Sequence, residues 1–303
     1  MGGYAAVAGG RGHGAGGRAG PGLHSGTGRA GRSRQRPAGL FARGETGWWI
    51  SHFTGGSMTA TFLYDANLRL EVDSPEWSVF LEDHSIRACG YHGDMAPLTK
   101  QLEEHMATFS YLPVLNYFHL RADPVYEPIA SAVYAADGTT GIPSVLIVPA
   151  GSGVTDARDL RGKRLAIAHR FCTTSFLAPM LLVHDLGGRI DEFFGELVIT
   201  PPYEGQVEAV VAGSADATFI QEDVWLKEPA YAETTRTIAR RDHLPTPLFI
   251  AGKEASLQLR TTVRDFLLNY RSAKNESVLF SGFAPYDAAA VEETLRITEE
   301  AIA

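Results

Sequence analysis

The stretch Gly162-Lys163-Arg164-Leu165-Ala166-Ile167-Ala168-His169-Arg170-Phe171-Cys172-Thr173-Thr174-Ser175-Phe176-Leu177 limits the possible folds of this chain more sharply than any other. Its first half alternates basic and apolar residues and then runs apolar, the pattern of a buried strand leaving a turn. Its second half is a run of small hydroxyl residues that leads into Phe176-Leu177-Ala178-Pro179-Met180-Leu181-Leu182-Val183, which reads as a helix. Pro179 has to lie within the first turn of that helix, because deeper in it would remove a backbone hydrogen bond. A strand that ends in hydroxyls where a helix begins presents unpaired N–H groups, the positive end of the helix dipole and extra donors. That combination suits an anion. Each such interaction contributes about 0.3–1 kcal/mol when exposed and up to about 2 when partly buried, so several have to converge. Thr173, Thr174 and Ser175 also fit a plainer role as helix N-caps, and the local sequence leaves both readings open.

On either side of this stretch the chain alternates between β and α patterns. Candidate strands are Thr59–Tyr64, His84–Cys89, Phe109–Leu112, Ile129–Ala135 and Ser144–Val148 before it, and Leu197–Ile199, Ala217–Ile220 and Leu248–Ala251 after it. Helical spacing covers 75–82, 95–106, 205–212, 257–270 and 288 to the end, with 114–122 a helix or an irregular turn. The alternation predicts mostly parallel sheets with helices on their faces, arranged as two α/β units with a cleft between them. Ligands of such sheets sit at the carboxyl ends of the strands, and hinged units close around them.

Composition divides the chain at Ser57/Met58. The formal charge is −8, yet residues 1–57 carry seven Arg, no Lys and one acid, which leaves −14 for the rest. This Gly/Arg-rich leader lacks the apolar periodicity to offset its ordering entropy and is expected to be disordered. It has no apolar core of secretory-signal length. The change in composition favours Met58 as the start of the protein, with the preceding residues a translated upstream stretch. No nucleic-acid partner is expected, although the basic run matches one in composition. The acidity of the remainder argues against long-range capture of anions, so recruitment has to be local. Cys89 and Cys172 are too far apart in sequence to mark a disulfide scaffold or a zinc site, and the scattered His residues form no metal-spacing pair. No metal and no cofactor are expected.

Four ordered segments and a tail together resemble one family. Ala135-Ala136-Asp137-Gly138-Thr139-Thr140-Gly141-Ile142-Pro143-Ser144-Val145-Leu146-Ile147-Val148 resembles the segment before the hinge in phosphonate-type substrate-binding proteins of ABC importers. Asp159-Leu160-Arg161-Gly162-Lys163 resembles their D-L-x-G-K strand opener, and Cys172 to Pro179 their S-T-S-G-[FY]-L-x-P anion-binding turn. Tyr203 to Ala217 is similar to the strand and helix that follow, and Phe283-Ala284-Pro285-Tyr286 to the family tail. The resemblance implies an α/β two-lobe fold of the type 2 periplasmic-binding class, with a hinge and an interlobe cleft. It places 58–149 plus 245–303 in the first lobe and 150–244 in the second. It also implies ligand contacts at Tyr91, Tyr111, Cys172, Thr173, Thr174, Ser175 and Tyr203, with Glu204 and Asp216 at acidic positions that receive an amino or hydroxyl part of the ligand. Two departures stand out. Cys172 replaces a serine and loses a good donor, and Tyr203 replaces a histidine that could carry positive charge.

Three function classes follow. The first is a monomeric solute-binding protein that traps a small oxyanion of the phosphonate, phosphite or phosphate class and hands it to an ABC permease and ATPase. The second is an enzyme on the same fold, with Cys172 or His169 reactive. The third is a cytoplasmic ligand sensor or carrier, motivated by the unreadable export signal. Donors and aromatics outnumber acid/base pairs among the candidate residues, which favours binding over catalysis. Arg170 fits either an oxyanion partner or a carboxylate-paired surface residue.

Overall fold

The computed structural model describes residues 49–51, 60–93, 95–122, 124–272 and 279–302, and Leu40–Ala303 group as one unit that contains both of its sheets. The strands, in chain order, are β1 (Trp49–Ser51), β2 (Ala60–Asp65), β3 (Ile86–Tyr91), β4 (Phe109–Leu112), β5 (Tyr126–Tyr134), β6 (Gly141–Pro149), β7 (Arg164–Ile167), β8 (Glu196–Ile199), β9 (Ala217–Gln221), β10 (Thr235–Pro245), β11 (Leu248–Gly252) and β12 (Phe280–Ala284). They form a seven-stranded sheet in the order β1-β3-β2-β4-β11-β5-β12 and a five-stranded sheet in the order β10-β6-β9-β7-β8.

Both sheets are mixed rather than mostly parallel. Parallel pairing is confined to β3-β2-β4 in the first sheet and β9-β7-β8 in the second; antiparallel strands lie on both sides of the first trio and on the β9 side of the second. The first sheet is built from both ends of the described chain, because β11 inserts between β4 and β5. The second is contiguous in sequence. The strand around Ser144–Val148, placed with the first lobe on sequence grounds, belongs to the second sheet as β6. The chain therefore crosses between sheets at 135–140 and 246–247, not at 150.

Helices form where apolar stripes and caps agree. Ser74 caps Pro75–Asp83, its Oγ accepting the Trp77 N–H at 3.4 Å, and Trp77, Phe80 and Leu81 face inward. Ser256 caps Leu257–Asn269 in the same way. Their aromatic faces meet on the first sheet: Phe80 stacks on Phe266 at 3.9 Å, and Phe62 on Phe249 at 5.0 Å. The last helix, Ala288–Ile302, packs on Ala178–Asp185 beside the second sheet and also touches Val114–Leu120 beside the first.

Most of the expected leader, and Met58, lie outside the described residues. Trp49–Ser51, within that segment, is nevertheless a strand, paired antiparallel to β3. The local apolar pair Trp49-Ile50 is masked in any average over its Gly/Arg-rich surroundings. Among the described residues no helix is long and apolar enough to cross a membrane.

Candidate functional site

The carboxyl end of β7 runs through Ala168 and His169 into a turn and then into the helix that begins at Thr173. The first turn is a π-helix, Thr173–Leu177, continued by the α-helix Ala178–Asp185. Pro179 occupies the first turn of that α-helix, where its missing N–H costs nothing. Cys172 is the N-cap, its Sγ accepting the Ser175 N–H at 3.5 Å and lying 3.5 Å from Thr174 Oγ1. Ser175 is fully buried, and its Oγ turns back to accept the Ala168 N–H at 3.0 Å. Two of the hydroxyl-run residues therefore build the turn itself. Thr173 differs: it is buried and its Oγ1 has no hydrogen-bond partner.

A cavity of about 40 Å³ lies between this turn and the first sheet. The first sheet contributes Asp65 at the end of β2, with Asn67 just beyond it. The second contributes His169, Cys172, Thr173, Tyr203, Gln206 and Gln221. Asp65 is 1% exposed; its Oδ1 accepts the Asn67 N–H at 2.9 Å and the Asn67 Nδ2 at 2.8 Å, while its Oδ2 has no partner. Burial pushes the carboxyl up to about 7 against the pull of those two Asn67 bonds. Gln221, at the carboxyl end of β9, is buried with Oε1 unpartnered. Thr173, Asp65 and Gln221 thus line a single small space and each carries one unsatisfied buried oxygen. An unmade buried hydrogen bond costs about 1–3 kcal/mol, so such a cluster is not a packing solution.

Tyr203 closes one side. It caps the helix Glu204–Val211 from a left-handed backbone, φ 61°, and its N–H donates to Gln206 Oε1 at 3.0 Å. Its hydroxyl reaches across to donate to the Asn67 carbonyl at 2.9 Å. Arg69 lies over the ring at 4.7 Å and pairs with Glu204 at 3.7 Å. Burial, with Asp65 and Cys172 nearby, holds the Tyr203 phenol well above its ordinary range. Where the resemblance implies a histidine, this chain has a neutral donor already committed to bridging the sheets.

The other sequence candidates divide clearly. Tyr91 is buried in β3 as the register partner of Asp65, but does not line the cavity. Tyr111 is fully buried against Phe249 and Phe283, with its hydroxyl unpartnered. Burial first, then Tyr203 and Asp65, raise its phenol well above the usual range, which places it near them electrostatically. Thr174 is buried but stands outside the cavity lining, as does Glu204, whose carboxylate is half-exposed on Arg69. Asp216 is not a ligand contact. It precedes β9 at the far end of the sheet, where its Oδ2 accepts the Arg164 N–H at 2.8 Å and its Oδ1 pairs with the guanidinium at 2.9 Å. Arg170 takes the carboxylate-paired role, bound to Asp191 at 3.0 Å. Asp65 and Gln221 were missed: a strand-end Asp followed by Ala-Asn reads as a turn former, and Gln221 as the end of a core strand.

Next to this polar cavity is a larger, mostly apolar one of about 910 Å³, and Asn67, Ala168, His169 and Pro202 line both. Among the described residues no group of three or more His, Cys, Asp or Glu is placed to hold a metal ion.

Comparison with known proteins bears on this architecture. Among solved structures, XAC2383 from Xanthomonas citri bound to ATP superposes with a TM-score of 0.66 at 14% identity, over 81% of this chain and 98% of that one. PhnD1 from Prochlorococcus marinus in complex with methylphosphonate gives 0.64 at 13% identity, over 80% and 97%. A binding protein component of an ABC phosphonate transporter from Pseudomonas aeruginosa gives 0.63 at 16%, over 82% and 87%. These likenesses establish the two-sheet periplasmic-binding fold. The family model for the periplasmic phosphonate substrate-binding protein of ABC transporters matches residues 90–293, from the end of β3 into the last helix. With that span covering most of the chain, the protein belongs to the phosphonate substrate-binding proteins of ABC transporters.

Proposed function

We propose that this chain captures a small oxyanion of the phosphonate, phosphite or phosphate class between its two sheets and delivers it to an ABC permease and its ATPase. The observation that carries this reading is a small cavity at the carboxyl ends of β2, β7 and β9 lined by residues with unsatisfied buried oxygens, above all Thr173. The Thr173 and Thr174 N–H groups stand ahead of the first hydrogen bond within the helix, Phe176 N–H to the Cys172 carbonyl, and the helix dipole favours negative charge there. Within the cavity the recognised group is compact, since about 40 Å³ accommodates only a few atoms. The two sheets act as lobes hinged at 135–140 and 246–247, and capture is their closure. Cys172 serving as an N-cap, with its sulfur engaged by Ser175 and Thr174, supports a binding rather than an enzymatic reading. On this reading the protein works outside the cytoplasm as a monomer, a compartment supported by the periplasmic role of its family.

A thermal-shift screen over methylphosphonate, phosphite, phosphate, methanesulfonate and a dicarboxylate tests the reading. A phosphorus oxyanion at about 100 times its Kd is expected to stabilise the fold by about 2.7 kcal/mol, without turnover. Stabilisation by none of them overturns it, as does product formation that disappears in Cys172→Ala.

A further inference from the structure

The candidate cavity sets a carboxylate where an anion is expected, and that conflict points to how ligands are told apart. Asp65 lines the cavity and is anchored through Oδ1 by two bonds from Asn67, which leaves its buried Oδ2 with no partner of its own. An ionised carboxylate only accepts hydrogen bonds; a protonated one donates. No Lys or Arg is among the residues that line the cavity. The Arg69 guanidinium lies over the Tyr203 ring and is paired with Glu204. Two acceptors facing each other there require a hydrogen between them.

We propose that Asp65 is the residue that selects among oxyanions: its Oδ2 shares one proton with a ligand oxygen, so the closed complex carries exactly one more proton than an ionised carboxylate beside a fully ionised ligand. Phosphonate and phosphite monoanions bring that proton. Sulfonates of the same size bring none and depend on Asp65 to hold it. The cleft therefore prefers phosphorus oxyanions over sulfonates more strongly as pH rises through the range where Asp65 ionises, until the phosphorus ligand loses its own second proton and must take one up as well. This inference rests on the cavity being the ligand site.

The raised pKa of Asp65 agrees with a group that holds a proton near neutrality. Other titratable groups surround it. Tyr91 is its register neighbour in β3, and Tyr111 comes from β4. His169 and Cys172 come from the turn after β7, and Tyr203 from the second sheet, with Arg69 and Glu204 beyond its ring. Burial keeps both phenols, Tyr111 and Tyr203, protonated throughout the accessible range. His169 is the group in this set whose titration has to be separated from that of Asp65 by experiment.

The test is isothermal titration of the full chain with methylphosphonate and with methanesulfonate at about pH 6 and about pH 8.5, each in two buffers of different ionisation enthalpy. The wild-type protein is expected to lose about tenfold or more of its methanesulfonate affinity across that interval and to take up a proton on binding it at the higher pH. Asp65→Asn, whose amide donates without a proton to lose, is expected to bind methanesulfonate equally at both pH values and to lose the preference for phosphonate. His169→Gln, at a residue that lines the same cavity, is expected to shift the affinity at both pH values together and to keep the ratio between them. An unchanged preference in Asp65→Asn overturns the inference, and so does a profile that follows His169→Gln. Absence of proton uptake by the wild type overturns it without recourse to any variant. Binding of neither ligand by the wild type overturns this inference together with the proposed function, whereas binding with an Asp65-independent profile overturns this inference alone.

Discussion

Asp65 carries a stability cost whose sign is set by where its proton goes. Its folded pKa is about 7, above the ordinary carboxylate value, so between the two the folded state holds a proton that the unfolded state has released. Stability contributed by that group is complete below the ordinary carboxylate pKa and is lost as pH rises to about 7. The loss is about 2–4 kcal/mol, and Asp65→Asn is expected to remove it, read by chemical denaturation at about pH 5 and about pH 8. Asp216 acts with the opposite sign: the hydrogen bonds from Arg164 hold it below its usual value, and its contribution disappears as pH falls. Thr173 separates folding from binding in another way. Because its Oγ1 has no partner, Thr173→Val is expected to leave the unliganded stability unchanged or slightly raised. The same substitution is expected to weaken the best oxyanion by about 1–3 kcal/mol in a calorimetric titration.

Among the elements, the ones legible from sequence are those whose burial is uniform. β7 and β9 are apolar runs buried on both faces, and their positions agree closely with the sequence reading. β10, the longest strand, was overlooked because Thr235-Arg236-Thr237-Ile238-Ala239-Arg240-Arg241-Asp242-His243-Leu244-Pro245 is an edge strand with bulges and a charged outer side. The mostly parallel expectation failed for a related reason: residue patterns report burial, whereas strand direction depends on how distant segments meet. The turn at 168–175 was legible as a site, but which of its hydroxyls face outward was not. That depends on Ser175 reaching back to Ala168, a contact made only once strand and helix are in place. The ligand role of Asp216 was implied by the family resemblance, whereas its carboxylate is taken up by Arg164, a partner that the local sequence does not show. Asp216→Ala is therefore expected to destabilise the second sheet by about 1–2 kcal/mol, through loss of the Arg164 bonds, while leaving the ligand Kd unchanged. Paired denaturation and titration measurements check both halves of that expectation.

For the molecule as a whole, the two sheets meet through few polar contacts, and one of them is exceptional. The Tyr203 hydroxyl bonds the Asn67 carbonyl across 136 residues of sequence, from a backbone conformation that costs about 1–3 kcal/mol for a side chain of this kind. Tyr203→Phe keeps the ring under Arg69 and removes only the bridge, so it is expected to shift the chain toward an open form. Small-angle scattering without ligand is expected to show a larger radius of gyration, with oxyanion affinity lower by about 2- to 10-fold. At the crossings, Thr246 Oγ1 donates to the Ala132 carbonyl at 2.7 Å and its N–H to the Thr140 carbonyl at 3.1 Å, which ties the two connections together. The placement of β11 between β4 and β5 bears on how the protein is made. When a ribosome has delivered residue 245, every strand of the five-stranded sheet already exists, while the larger sheet still has a gap at its centre. The inner half can fold during translation, and the outer half has to wait, with β4 and β5 exposed along the edges that β11 will later fill. A nascent chain stalled there offers those edges to chaperones or to its neighbours, and the final fifth or so of synthesis is an interval in which this protein is vulnerable to misassembly.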